Sequence, residues 1–114
     1  MVVEVRLVSP TTSESVTTPA LVDTGATFTV IPVALAEKLK LPHITRRRVV
    51  TASGVVELPE SYVIMELMGE RTVTPVLISD KLDRVLVGLI TLEALALKVD
   101  PKTGRLEKTE ILLL

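Results

Sequence analysis

Apolar and polar residues alternate along much of this chain, which is the pattern of half-buried β-strands. Val2–Val8 reads V-V-E-V-R-L-V, and Glu70–Ile78 shows a similar alternation. Two short segments are instead predicted to be helical: Val33–Lys40, which is amphipathic and follows Pro32 at a first helical position, and Leu89–Leu95. Further strands are predicted at Thr17–Val22, Thr27–Ile31, Arg46–Thr51, Val55–Leu58, Ser61–Met68, Arg84–Val87, Leu97–Val99 and Arg105–Leu114. The pattern therefore predicts an all-β, barrel-like domain with one or two short helices.

Composition narrows the classes of function. A chain of 114 residues predicts one domain, residues 1–114. The 13 basic and 14 acidic residues give a net charge of −1, which offers no electrostatic case for binding nucleic acid or an anionic membrane. Cysteine is absent and His43 is the sole histidine, so disulfides and cysteine-type zinc sites are excluded and we expect no metal or other cofactor.

The N-terminal sequence M-V-V-E-V-R carries charges inside its apolar stretch, unlike a signal peptide. No apolar run approaches the length needed to span a membrane. We therefore expect a cytoplasmic protein. The short basic run Arg46–Arg48 is interpreted as a solvated strand start in preference to a binding patch.

The segment Ala20–Pro32, A-L-V-D-T-G-A-T-F-T-V-I-P, is the most informative part of the chain. Leu21 and Val22 end an apolar strand, and Asp23 follows at once, before a Thr-Gly turn. Gly25 allows a sharp turn and a close approach of the backbone to whatever lies beside the carboxylate, and its amide can help to hold the carboxylate. An acid held at a strand end in this way is a plausible catalytic group.

These residues resemble the retropepsin-like aspartic proteases, the single-domain relatives of retroviral and pepsin-type enzymes. Leu21–Ala26 fits the family pattern of an apolar pair, Asp-Thr-Gly and a small residue. Val85–Gly88, followed by the helix at Leu89–Leu95, fits a second family element, and Val49–Pro59 lies where the family has a β-hairpin flap. The resemblance implies a closed barrel of short strands that forms a two-fold homodimer.

Hydrolysis of a peptide bond by carboxylates needs two of them, one ionised to activate water and one protonated to donate a proton. Two carboxylates in contact share one proton and titrate as a pair. Because the chain has a single Asp-Thr-Gly, we expect the second acid to be Asp23 of a second copy, related by a two-fold axis. The prediction is therefore an aspartic endopeptidase acting on peptide or protein substrates as a homodimer.

The resemblance also implies roles for other residues. Thr24 would bond across the dimer axis, although an ordinary turn hydroxyl is the alternative. Gly25 and Ala26 would complete the active-site loop, and Gly88 would support it. The tip of the flap would be Ala52, Ser53 and Gly54, although a plain hairpin is equally compatible with those residues alone. Apolar substrate pockets would be lined by Ile31, Val55, Val56 and Val76.

Three positions depart from the family pattern. Retroviral members usually carry an acid that holds the substrate backbone where this chain has Thr27. Many relatives have polar residues just after the second glycine, where this chain has Leu89 and Ile90. The resemblance therefore implies weaker or different anchoring of the substrate at Thr27. At Leu89 and Ile90 it implies that the usual polar side chains do not brace the catalytic loop, although packing can still support it.

Other interpretations of the segment remain open. It resembles the first phosphate loop of actin-like ATPases and sugar kinases, but the chain is too short for two lobes and lacks a second glycine-rich loop. A phosphatase with an aspartate nucleophile would need a second acid where Gly25 stands. The stronger alternative is a catalytically inactive retropepsin-like module for peptide binding or dimerisation.

The apolar end of Thr109–Leu114 is predicted to be buried, either in the subunit core or in an intersubunit sheet.

Overall fold

The computed structural model describes residues 1–113 and contains nine strands and two short helices in that range. The strands are β1 (Val2–Val8), β2 (Ser15–Val22), β3 (Thr29–Pro32), β4 (Thr45–Thr51), β5 (Gly54–Leu67), β6 (Glu70–Ser79), β7 (Val85–Val87), β8 (Leu97–Val99) and β9 (Leu106–Lys108). Helix α1 spans Val33–Lys38 and helix α2 spans Leu89–Ala94. Neither helix has the length and apolar character needed to cross a membrane.

Seven strands form one sheet in the order β1-β2-β7-β3-β6-β5-β4, and β1 pairs again with β5. This second pairing closes the sheet into a six-stranded barrel, with β4 attached outside the closure and β8-β9 as a separate ribbon. The prediction of an all-β closed barrel with two short helices is confirmed.

Alternating aliphatic side chains fill the barrel. Val5 and Leu7 of β1, and Val63 and Met65 of β5, are fully or almost fully buried. Leu39, at the end of α1, is also fully buried and closes one side of the core. These inward positions recur at every second residue, as a strand with one buried face requires.

Several bounds of the strands and helices differ from the sequence prediction. β5 is one continuous strand where two were predicted, because residues 54–60 pair with β4 and residues 60–67 pair with β6. Pro59 is tolerated because β5 has only β4 as a partner at that point. Pro32 ends β3 and is the N-cap of α1, with an extended backbone, and is not a first helical residue. Helix α1 begins at Val33 as predicted and ends at Lys38, two residues before the predicted end at Lys40.

The C-terminal strand is also shorter than predicted, since β9 ends at Lys108. Ile111, Leu112 and Leu113 are 69%, 73% and 93% exposed, so their predicted burial in the subunit core is wrong. Leu114 lies outside the described residues. Burial of this segment against a second copy stays a prediction.

Candidate active site

Asp23 is held at the end of a barrel strand by main-chain hydrogen bonds. Because β2 and β7 are parallel, their C-terminal ends lie side by side, and the Asp23 N–H donates to the Val87 carbonyl at 2.9 Å. The Gly25 N–H donates to the Asp23 carboxylate oxygen Oδ1 at 2.9 Å, and the Ala26 N–H donates to the Asp23 carbonyl at 3.1 Å. The turn therefore fixes the carboxylate while leaving it exposed.

The absence of a side chain at Gly25 leaves room for the Asp23 carboxylate. A Cβ built on Gly25 would lie 3.2 Å from Asp23 Oδ1, which is tighter than an ordinary contact. Gly25 does not have a positive φ, unlike Gly54, Gly69 and Gly104. The predicted contact of the Gly25 amide with the carboxylate is observed, and the turn does not depend on a left-handed backbone.

Thr24 makes no side-chain hydrogen bond within residues 1–113, and both Thr24 and Gly25 are exposed. A local turn bond was the alternative role for this hydroxyl, and it is not seen among the described residues. The hydroxyl is thus available to a group outside the single chain.

The start of α2 braces the active-site loop from behind. The Leu89 N–H donates to the Ala26 carbonyl at 2.8 Å, and the Ile90 N–H donates to the Thr27 carbonyl at 3.0 Å. Both contacts use main-chain groups, so the apolar side chains of Leu89 and Ile90 do not prevent them. Gly88 lies so close to this loop that a Cβ on it would be 2.4 Å from the Phe28 carbonyl carbon.

Three buried threonines add polar bracing that the sequence analysis missed. Thr29, Thr74 and Thr91 are each 0% exposed. The Thr91 hydroxyl lies 2.6 Å from the Thr29 hydroxyl and 2.7 Å from the Thr74 hydroxyl. Thr29 Oγ1 also accepts the Gly88 N–H at 3.0 Å. The network ties β3, β6 and α2 together directly behind the loop. In the sequence, the signal for this network is Thr91, a polar residue in the otherwise apolar start of the helix that follows Gly88.

The β4–β5 hairpin projects beside the active-site loop and ends in the predicted flap tip. Ala52, Ser53 and Gly54 are exposed, and Gly54 has a φ of 124°, which favours glycine. The Thr51 hydroxyl closes the turn, since it donates to the Gly54 carbonyl at 2.9 Å and accepts the Ser53 N–H at 3.2 Å. The hairpin thus has the small, solvated tip expected of a cover over the groove.

A groove of about 440 Å³ separates the active-site loop from the hairpin. Residues 25–28 line one side, residues 47–50 line the other, and Val30 and Leu77 are also in its wall. The predicted lining is wrong for Ile31 and Val76. Ile31 and Val76 are 0% exposed and face the core, because adjacent residues of a strand face opposite sides.

The other two predicted lining residues, Val55 and Val56, are exposed on the hairpin and are not in the groove wall. Arginine enters the groove instead. Arg47 and Arg48 line it, so part of the run interpreted as a solvated strand start contributes to the candidate site.

Comparison with known proteins places this geometry in a family. The model of the family described as "gag-polyprotein putative aspartyl protease" matches residues 10–94. No curated protein matches the sequence. Asp23, the loop, the hairpin and Gly88 all fall inside the matched range.

Solved structures of viral proteases share the fold. The solution structure of the simian foamy virus (mac) protease matches with a TM-score of 0.60 at 22% identity, covering 82% of this chain and 92% of that one. The EIAV protease complexed with the inhibitor HBY-793 matches with a TM-score of 0.59 at 23% identity, covering 78% and 82%. The foamy viral protease-reverse transcriptase in complex with an RNA/DNA hybrid matches with a TM-score of 0.64 at 16% identity, covering 99% of this chain and 13% of that one.

Proposed function

The chain belongs to the family of gag-polyprotein aspartyl proteases, and on that premise we propose that it is an aspartic endopeptidase that works as a two-fold homodimer. The observation that carries the proposal is the Asp23 carboxylate, held by the N–H of Gly25, which itself lies in the wall of the groove. Asp23 would be the catalytic residue of each protomer.

One protomer supplies one carboxylate, and the reaction needs two. In the proposed dimer the ionised Asp23 takes a proton from water as the water oxygen attacks the peptide carbonyl carbon. The protonated Asp23 of the second copy gives its proton to the carbonyl oxygen. The Asp23 that took the proton from water then gives it to the amide nitrogen as the C–N bond of the tetrahedral intermediate breaks. The other Asp23 takes a proton from a hydroxyl of the intermediate, which releases an acid and an amine and restores the shared proton.

The surface around Asp23 supports a dimer axis at this place. Thr24 borders a largely apolar depression to which Leu89, Leu92 and Ile111 contribute. Leu89 and Ile111 are exposed large apolar residues, and such a patch beside a catalytic group favours a protein contact. A two-fold axis beside Thr24 would bring the two Asp23 side chains together and cover both patches.

The flap role also belongs to the proposal. The hairpin tip, Ala52–Gly54, would close over a bound peptide, exclude water and offer main-chain hydrogen bonds to it. Its small residues and the groove beneath it support this role.

The test is cleavage of a peptide library at several pH values by the wild type, Asp23→Asn and Asp80→Asn. Asp80 is an exposed loop aspartate, so its variant controls for a general loss of negative charge. We expect the wild type and Asp80→Asn to cleave with a bell-shaped pH profile, because activity needs one ionised and one protonated carboxylate. Asp23→Asn should be inactive yet remain folded and dimeric.

The outcomes separate the proposal from its alternative. Full-rate cleavage by Asp23→Asn would refute it. A wild-type dimer that binds peptides but cleaves none of them would instead support the inactive peptide-binding module.

A further inference from the structure

The hairpin side of the groove contains a guanidinium group, that of Arg47, which is held in one orientation but still has hydrogen-bond donors that are free, within residues 1–113, to bind a ligand. Arg47 Nε donates to Oε1 of Glu60, whose carboxylate is almost fully buried. The guanidinium carbon lies 5.5 Å from the centre of the Phe28 ring, within the range of a cation–π contact. The Arg47 side chain is therefore held on two sides, although 56% of it is exposed.

The remaining donors of Arg47 have no partner within the part of the chain that the structure describes. Its Nη1 and Nη2 groups donate to no atom of residues 1–113. A guanidinium whose orientation is already fixed loses little rotamer freedom when it binds a carboxylate with these groups. The arrangement thus has the chemistry of a carboxylate-binding site.

The charge of the groove wall favours the same ligand. The wall contains Arg47 and Arg48 and no acidic side chain. Arg48 lies directly opposite Glu57 of β5, so the guanidinium that faces the groove is that of Arg47, which lies over Phe28. The opposite wall contributes Thr27 and Phe28, which carry no charge.

We infer that this part of the groove is a subsite for an acidic side chain of the substrate, with Arg47 as the specificity-determining residue. The inference rests on the proposed function and names its substrate class: peptides with Glu or Asp at the position that contacts Arg47. The ligand carboxylate would bind the Nη groups, while Glu60 and Phe28 keep the guanidinium in position.

The experiment compares peptides that differ only by Glu or Gln at each position around the cleaved bond. We expect the wild type to prefer Glu about tenfold in kcat/KM at one position, as a partly exposed charged hydrogen bond allows. The preference should shrink as salt is raised, because the subsite is open to solvent.

The variants are chosen so that the Glu60 carboxylate is not left unpaired. Arg47→Gln combined with Glu60→Gln should lose the Glu preference to within about twofold, whereas Arg47→Lys should keep part of it because the charge remains. Arg46→Gln is the matched control, since Arg46 is the neighbouring arginine but donates to the Glu57 carbonyl outside the groove. It should behave as the wild type.

Equilibrium binding of the same peptide pairs to Asp23→Asn gives a second readout that does not need catalysis. A Glu preference in binding would support the subsite even if the wild type cleaved nothing and the proposed function fell. Cleavage without a preference for Glu at any position, or a preference that survives in the double variant, would refute the subsite while leaving the protease assignment intact.

Discussion

Replacement of Gly88 by alanine should disrupt the active-site loop. The loss of stability should exceed that of a glycine-to-alanine change at a position with a left-handed backbone, such as Gly69. Gly88 has a φ of −91° and a ψ of 176°, an extended conformation that every residue adopts. The difficulty is contact, because an added Cβ would lie 2.4 Å from both the carbon and the oxygen of the Phe28 carbonyl. It would also lie 2.9 Å from the Thr29 nitrogen, and non-bonded carbon atoms prefer about 3.5–4.0 Å.

The size of the destabilisation can be estimated from the shift of main chain that the added Cβ forces. Relief of the contact requires the start of α2 to separate from residues 26–29 by about 1 Å, the difference between these distances and normal contact. Such a shift breaks the bonds from the Leu89 and Ile90 N–H groups and the bond from Gly88 to Thr29. At about 1 kcal/mol for each bond, the loss in the free energy of unfolding should be about 3 kcal/mol or more.

The assay is urea unfolding of Gly88→Ala and Gly69→Ala at one protein concentration, with peptide cleavage measured in parallel. Gly69 is the control because it has a φ of 77° but no atom within 4 Å of an added Cβ. Backbone strain alone should cost about 1–2 kcal/mol there and leave activity unchanged. If Gly88→Ala were as stable as Gly69→Ala, the close approach of Gly88 to the loop would not be the reason for glycine at this position.

Two further changes test the bracing and the apolar C-terminus. Thr91→Val should lower the free energy of unfolding by about 1–3 kcal/mol, because it leaves the buried hydroxyls of Thr29 and Thr74 without their shared partner. Urea unfolding measures this, and a loss no greater than that of Thr91→Ser would contradict it. Deletion of Ile111–Leu114 should cause loss of the dimer or of soluble protein, as measured by sedimentation. A truncated chain that stays a stable, active dimer would show that residues 111–114 have no part in assembly.

The parts of the site that could be predicted from sequence are those indicated by a few neighbouring residues. Asp23 follows an apolar strand and precedes Thr-Gly, and this order alone places a carboxylate at a strand end. Gly88 likewise follows three apolar residues and precedes a helix. The hairpin tip at Ala52–Gly54 is indicated by small turn residues between two strand-forming segments.

The parts that could not be predicted depend on contacts between distant residues. The continuity of β5 past Pro59 comes from two different partner strands, which no local pattern reveals. The wall of the groove contains Val30 and Leu77 in place of their neighbours Ile31 and Val76, because a shift of one residue reverses the face of a strand. Arg47 belongs to a run of three arginines, and only the position of the hairpin brings it over Phe28.

The distribution of hydrogen bonds around Asp23 supports the proposed dimer. Behind the loop, the main chain at the start of α2 donates hydrogen bonds to residues 26 and 27, and the buried hydroxyls of Thr29 and Thr74 both bond to that of Thr91. In front of it, Asp23, Thr24 and Gly25 are exposed, and Thr24 has no side-chain partner among residues 1–113. A loop fixed so firmly on one side and open on the other has the preorganisation that catalysis needs, but only half of the groups. A second copy placed against that open side would supply the missing carboxylate and a partner for the Thr24 hydroxyl.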